Sequence, residues 1–421
     1  MGLEGPMIGA VVARLENPQV NLAAYGGVVF PVALVIEAPI IMLLAASTAL
    51  SRDRQSYTRL LRFAHGLSAM LTVLHALIVF TPLYHVVVVG VMGVPEVIVG
   101  PSRIGLAIML PWTWAIAYRR FNQGVLIRFG YSGAVGMGTV VRLAADAVVL
   151  VIGYSIGSIQ GIVVAACAIV TGVICEAAYA RWRVAPVIRA RLRHPPSAVA
   201  PLHNLGLRAL LTFYIPLSLT SLLGLLVQPV GSAAMSRLPL ALPSLAVWPV
   251  VTGVSFLLRS PGFAFNEVVV ALLDEPGAAR RLARFTRLLI AGSTAGLVVL
   301  LIPPVGRVWF EVLVGLPPAL ARLAERSLVF ALPVPAFAVL QSLYQGFIVD
   351  SRRTRGISEA VVVSLSVTSG LLVGAVLGGS ITGIYAAMAA FTAGDAARTV
   401  WLRVRSKPAM EARLAQQRAS V

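Results

Sequence analysis

Along most of this chain, apolar residues follow neither a helical stripe nor a strand alternation. They fill long windows, such as VVFPVALVIEAPIIMLLAASTAL at 28–50 and LLIAGSTAGLVVLLIPP at 288–304. A helix that is apolar all round has no face for water and is read as a membrane span. Arg clusters and Pro/Gly turns bound the windows and predict twelve spans. The first six are 2–15 (short), 20–50, 60–82, 102–127, 137–156 and 159–181; the second six are 207–236, 242–273, 282–303, 325–349, 358–377 and 381–402. The expected fold class is therefore an all-α polytopic membrane protein.

Composition agrees with the pattern. The 421 residues are 58% hydrophobic and 12% charged, against about 45–50% and about 25% in a soluble domain. The net charge of +18 would suggest nucleic acid in a soluble protein, but here its placement decides. Twenty-five of the 34 basic residues fall in segments on one side of the predicted membrane, among them Arg52, Arg54, Arg119, Arg120, Arg128, Arg189, Arg284, Arg352 and Arg403. Six fall on the other side, and Arg142, Arg259 and Arg398 lie inside spans. The rich side is expected to be cytoplasmic, with both chain ends inside, and no nucleic-acid partner is expected. Cys167 and Cys175 share one apolar stretch, so neither a disulfide framework nor a metal site is read from them. The start MGLEGPMIG has no basic region for a signal peptide, and Pro6 breaks a myristoylation motif.

The chain also repeats itself. At an offset of 222, Pro39 meets Pro261, Arg62-Phe63 meets Arg284-Phe285, Pro111 meets Pro333, and GSIQGI at 157–162 meets GSITGI at 379–384. Before Pro39 the offset is 223, and Pro6 meets Pro229. Turn residues coincide, which bland apolar composition does not produce by accident. A six-span unit is even, so the halves are parallel repeats related by a pseudo-two-fold axis along the membrane normal. The expected organisation is an N-terminal six-helix bundle (1–181), a cytoplasmic linker (182–206), a C-terminal six-helix bundle (207–402) and a cytoplasmic tail (403–421). Met1 aligns inside span 7, at Gly224, so span 1 is expected to be truncated, either by a misplaced start, the favoured reading, or by a real deletion.

Broken spans are the usual pointer to a transport site, because unwound backbone is tolerated only where it lines a cavity. Pro6, Pro39, Pro229 and Pro261 are the predicted hinges or breaks. Glu37 and Arg259 are repeat-equivalent, each two residues before the repeated proline. Three readings stay open: they pair as a gate across a central cavity, Arg259 holds an anion while Glu37 titrates, or both are charges snorkelling to a helix end. Asn266 and Glu267 are expected to line the same path, Glu267 sitting eight residues from Arg259 near one helix face. Glu4 and Gln228 are polar groups beside breaks. Arg142 and Asp146, four apart, are expected to form a structural ion pair. No metalloprotease, nucleophile-elbow or phosphate-loop motif appears, so no enzyme, catalytic residue, metal or cofactor is expected.

Twelve spans in two parallel six-span halves, with a broken first and seventh span, resemble the MATE-like multidrug/oligosaccharidyl-lipid/polysaccharide (MOP) exporter superfamily. Within it, FYIPLSLTSLLGLLVQPVGSAAMSR at 213–237 and LPVPAFAVLQSLYQGFIVDSRR at 332–353, with Pro333, Pro335 and Gly346, and SRDR at 51–54, are similar to progressive-ankylosis (ANK) transporters. The resemblance implies a secondary active transporter of the inner (plasma) membrane, working by alternating access and exporting a small organic anion or polyanion with a coupling H+ or Na+. It also implies acidic coupling residues in the first span, where Glu4 stands. The alternatives are a lipid-linked saccharide flippase or drug exporter of the same superfamily, or a non-transporting membrane scaffold. Few Arg residues are available inside the spans for a flippase.

Overall fold

The computed structural model describes residues 2–192, 206–273, 278–351 and 355–419. Met1 and most of the expected linker lie outside them. Twelve helical stretches follow in chain order: α1 (Glu4–Val12), α2 (Pro18–Leu50), α3 (Arg54–Phe80), α4 (99–128), α5 (Ser132–Ile156), α6 (Gly161–Ala190), α7 (Leu207–Ser236), α8 (Ala241–Leu272), α9 (Ala278–Leu301), α10 (Pro318–Asp350), α11 (Arg355–Gly378) and α12 (Gly383–Ala419). Among the described residues, nine of these are long and apolar enough to cross a membrane: α2, α3 and α5 to α11. Of the other three, α1 has nine residues, α4 carries Arg103, Arg119, Arg120 and Arg128, and α12 carries Asp395 and Arg398 within its apolar part.

The helices are built for lipid. On α5 the buried stripe is Ala134, Gly138, Arg142, Asp146, Leu150 and Gly153, about one residue per turn. The opposite surface exposes Met137, Val140, Val148, Val151 and Ile152. On α3, Ser56, Ala64, Ser68 and His75 are buried while Met70, Val73, Leu77 and Phe80 are exposed. Small and polar residues face the bundle and large apolar ones face out, the polarity that a hydrocarbon solvent demands. Asp53 starts α3 with a capping box to Ser56, satisfying helix-end N–H groups.

The sequence repeat is a structural repeat. Among the described residues, the two non-glycine residues with positive φ, Asn17 (50°) and Leu240 (56°), are 223 apart. Gly93 and Gly315, and Gly157 and Gly379, are glycine pairs 222 apart that share positive φ. Wide π-type turns occupy Val86–Val91 and Val308–Leu313. Asn21 Oδ1 accepts from the Ile162 N–H at 3.1 Å, capping α6; Ser244 Oγ accepts from the Ile384 N–H at 3.0 Å, capping α12. The same helix pairs pack in each half: α2 on α4 and α8 on α10, α4 on α6 and α10 on α12, α5 on α6 and α11 on α12.

The contacts divide the chain into two compact units, Val11–Pro229 and Gly2–Ala10 with Val230–Val421. The division falls inside α7. In the second unit, α1 lies along α8, where a Cβ at Gly253 would meet Pro6 Cδ at 3.4 Å. In the first, the Tyr214 hydroxyl of α7 donates to the Pro39 carbonyl, and its ring meets Phe63 edge-on at 5.0 Å.

The predicted breaks need correction. Helices α7 and α8 run unbroken through Pro229 and Pro261, and Pro6 lies in the first turn of α1. A helix-interior proline removes one bond to the carbonyl four residues back. For Pro261 that carbonyl is Leu257, and the Ser260 hydroxyl donates to it at 2.7 Å, so the helix continues. Near Pro39 the interruption falls at Met42. The repeat-equivalent interruptions are elsewhere: at Met109, before Pro111 in α4, and at 329–333, up to Pro333 in α10.

Candidate functional site

Each unit holds a cluster of intramembrane charges on equivalent helices. In the first unit the hub is Glu176 on α6, with no exposed side-chain surface. Arg119 of α4 forms a close ion pair with its Oε2, and Gln123 Nε2 donates to its Oε1 at 2.9 Å. Arg142 of α5 reaches Oε2 at 3.8 Å and has its own neighbour Asp146 at 4.0 Å, one helical turn on. Glu37 on α2 is buried in the field of Arg119, Arg120 and Arg142, and its Oε1 has no hydrogen-bond partner. If all are ionised, Arg119, Arg120 and Arg142 balance Glu37, Asp146 and Glu176. Burying charge in a low dielectric is tolerable only with such pairing.

In the second unit, Arg259 of α8 points its Nη2 at Asp395 Oδ2 of α12, 3.4 Å away. Its guanidinium also lies over the Phe263 ring, 5.2 Å from the centroid. Gln341 of α10 donates to the Asp395 carbonyl at 3.2 Å, to Asp395 Oδ1 at 3.4 Å and to Thr399 Oγ1 at 3.1 Å. Arg398 lies one turn further along α12, in the field of both Asp395 and Arg259. Its Nε is buried without a hydrogen-bond partner. Two guanidinium groups thus lie in the field of one carboxylate, leaving a surplus positive charge.

The two clusters are related by the repeat with the sign inverted. Glu37 is equivalent to Arg259, and Glu176 to Arg398, both at an offset of 222. Arg119 is equivalent to Gln341. The sequence reading identified the first pair alone; the same offset applied to every charge inside a span finds the second.

The other expected residues are placed as follows. Arg259 has an ion partner, Asp395, within its own unit. Asn266, seven residues from Arg259, lies on the same face of α8, and its Oδ1 is buried without a hydrogen-bond partner. Glu267 is turned outward and exposed, because eight residues overshoot the face by about 80°. Glu4 begins α1 in the second unit, and Gln228 is half-buried in α7. Arg119 and Arg120 were counted among the cytoplasmic charges that set orientation. The structure instead puts Arg119, 1% exposed, on Glu176 in the interior of the first unit.

No protein-family profile matches the chain, and no curated protein matches it. Solved structures do. An inward-facing multidrug-resistance MATE transporter of the MOP superfamily aligns at a TM-score of 0.70 and 15% identity, over 98% of this chain and 96% of that one. The lipid II flippase MurJ, in an inward closed conformation, aligns at 0.72 and 12% identity, over 96% and 85%. A MOP-superfamily transporter from Pyrococcus furiosus, described as having a binding pocket of reversed polarity, aligns at 0.58 and 17% identity, over 97% and 95%. The chain therefore has the MATE-like fold over nearly its whole length and is a multi-pass membrane protein.

Proposed function

We propose that this protein is a secondary active transporter of the MOP superfamily, working by alternating access and exporting a small organic anion or polyanion. The fold shared with MATE transporters and MurJ supports the transporter class. The observation that carries the substrate sign is the Arg259–Arg398 pair around one Asp395. An ionisable group inside a span is costly and is retained where it handles substrate or ions. The surplus cation suits a carboxylate or phosphate. Glu37, buried among three arginines with an unpaired oxygen, is the group through which H+ or Na+ would couple. The two bundles expected at 1–181 and 207–402 would be the moving bodies, with both chain ends cytoplasmic.

The test is uptake into proteoliposomes. Arg259→Ala is expected to abolish anion transport while the purified protein remains folded and monodisperse. Wild-type transport by that variant would remove Arg259 from the site.

A second reading is a lipid-linked saccharide flippase. Two findings favour it: the similarity to MurJ, and a store of interior arginines larger than the spans suggested, since Arg119 and Arg120 join Arg142. Scrambling of a fluorescent polyprenyl-diphosphate lipid, with no movement of citrate or pyrophosphate, would select it.

A further inference from the structure

We propose that Asp395 is a built-in competitor for the anion site, a carboxylate that occupies Arg259 and Arg398 until a substrate carboxylate or phosphate displaces it. The inference rests on the anion-transport reading above. Three features of the second unit carry it. The Arg259–Asp395 contact is long for an ion pair at 3.4 Å, and both groups keep some exposure, 22% and 15%. A charge-assisted hydrogen bond at its optimum spans about 2.7–2.9 Å, so the pair is held short of full strength. Arg398, one turn along α12 from Asp395, has a buried, unpartnered Nε and lies in the field of the same carboxylate as Arg259. Finally, Asp395 has a second holder. Gln341 contacts its carboxylate and its carbonyl and also bonds Thr399, so Asp395 keeps an amide donor once the arginines let go.

The geometry makes Asp395 chemically equivalent to the incoming group. A ligand with one carboxylate can replace it on Arg259; a ligand with two anionic groups also neutralises Arg398. Dicarboxylates, tricarboxylates and pyrophosphate are thereby favoured over monoanions. Phe263, stacked on the guanidinium, holds Arg259 in place during the exchange.

The experiment measures binding of citrate and of inorganic pyrophosphate to the purified full-length protein by titration calorimetry. Asp395→Asn is expected to bind both about ten-fold more tightly than wild type, the gain if Asp395 closes the site about nine-tenths of the time. Equal or weaker binding by D395N, with R259Q still abolishing it, overturns the competitor role and leaves the anion site standing. Binding of neither anion by wild type or D395N overturns both. Because D395N leaves two arginines uncompensated, a charge-balanced pair of variants gives a second readout. In R398Q the remaining Arg259 is neutralised by Asp395, and binding is expected to be lost. R398Q/D395N, with one arginine and no competitor, is expected to regain it. Failure of the second substitution to restore binding overturns the proposal, since a merely structural Asp395 predicts further loss.

Discussion

Glu176→Gln is the sharpest test of the first-unit network. The substitution keeps the shape of the side chain and one acceptor oxygen but removes the charge that faces Arg119 and Arg142. Both partners are almost wholly inside the protein, with side-chain exposures of 1% and 7%. Water cannot take over their solvation. Removing one partner of a buried ion pair costs about 3–5 kcal/mol, because the other charge stays buried without compensation. Glu176 serves two arginines, so the upper part of that range is expected. Arg119→Leu should cost less, about 2 kcal/mol, since Glu176 then still has Gln123 and Arg142. The double variant Arg119→Leu/Glu176→Gln should fall short of the summed single costs by about 2 kcal/mol, the signature of direct coupling. Equilibrium unfolding in mixed micelles at increasing SDS fraction, followed by tryptophan fluorescence, measures all three. An E176Q cost below about 1 kcal/mol, or strict additivity in the cycle, would refute the view that Glu176 is the hub.

Four other outcomes follow from the structure. Gly124→Val should destabilise by several kcal/mol in the same unfolding assay, because a Cβ there falls 2.4 Å from the Leu44 carbonyl and 1.8 Å from Ser47 Oγ, where α2 and α4 touch. Ser244→Ala and Asn21→Ala should each cost about 1 kcal/mol, as the equivalent caps of α12 and α6 are removed. Leu240→Gly should stabilise by about 1 kcal/mol, since an exposed leucine is held at φ 56°. Glu37→Gln should make anion transport insensitive to an imposed proton or sodium gradient; transport that still follows the gradient excludes Glu37 as the coupling group.

Much of the fold was legible in the chain because bilayers impose simple rules. Long apolar windows mark α2, α3 and α5, and the repeat shows through Gly157/Gly379 and Pro111/Pro333, where backbone geometry restricts the residue. The breaks were less legible. Proline alone does not decide whether a membrane helix unwinds; Pro261 is rescued by the neighbouring Ser260 hydroxyl, whereas Pro111 follows the interruption at Met109. The charges were hardest to read. Arg119 and Arg120 near the end of an apolar window look like any cytoplasmic pair, and only tertiary packing brings Arg119 to Glu176, 57 positions away. Arg259 was visible as an isolated charge within a span, but its partner sits on α12, beyond the reach of any helical spacing. The inverted sign at Glu176 and Arg398 was available from the repeat offset, and applying that offset to polar as well as turn residues would have exposed both clusters.

The central claim is that the intramembrane arginines of the second unit carry an anion across the bilayer. The most direct measurement is uptake of radiolabelled citrate and pyrophosphate, beside a cationic dye, into proteoliposomes holding wild type or R259Q, with and without a proton or sodium gradient. The account predicts gradient-dependent movement of at least one anion by wild type, none by R259Q, and no movement of the dye. Transport of the dye with no movement of either anion, or equal anion transport by R259Q, would contradict it.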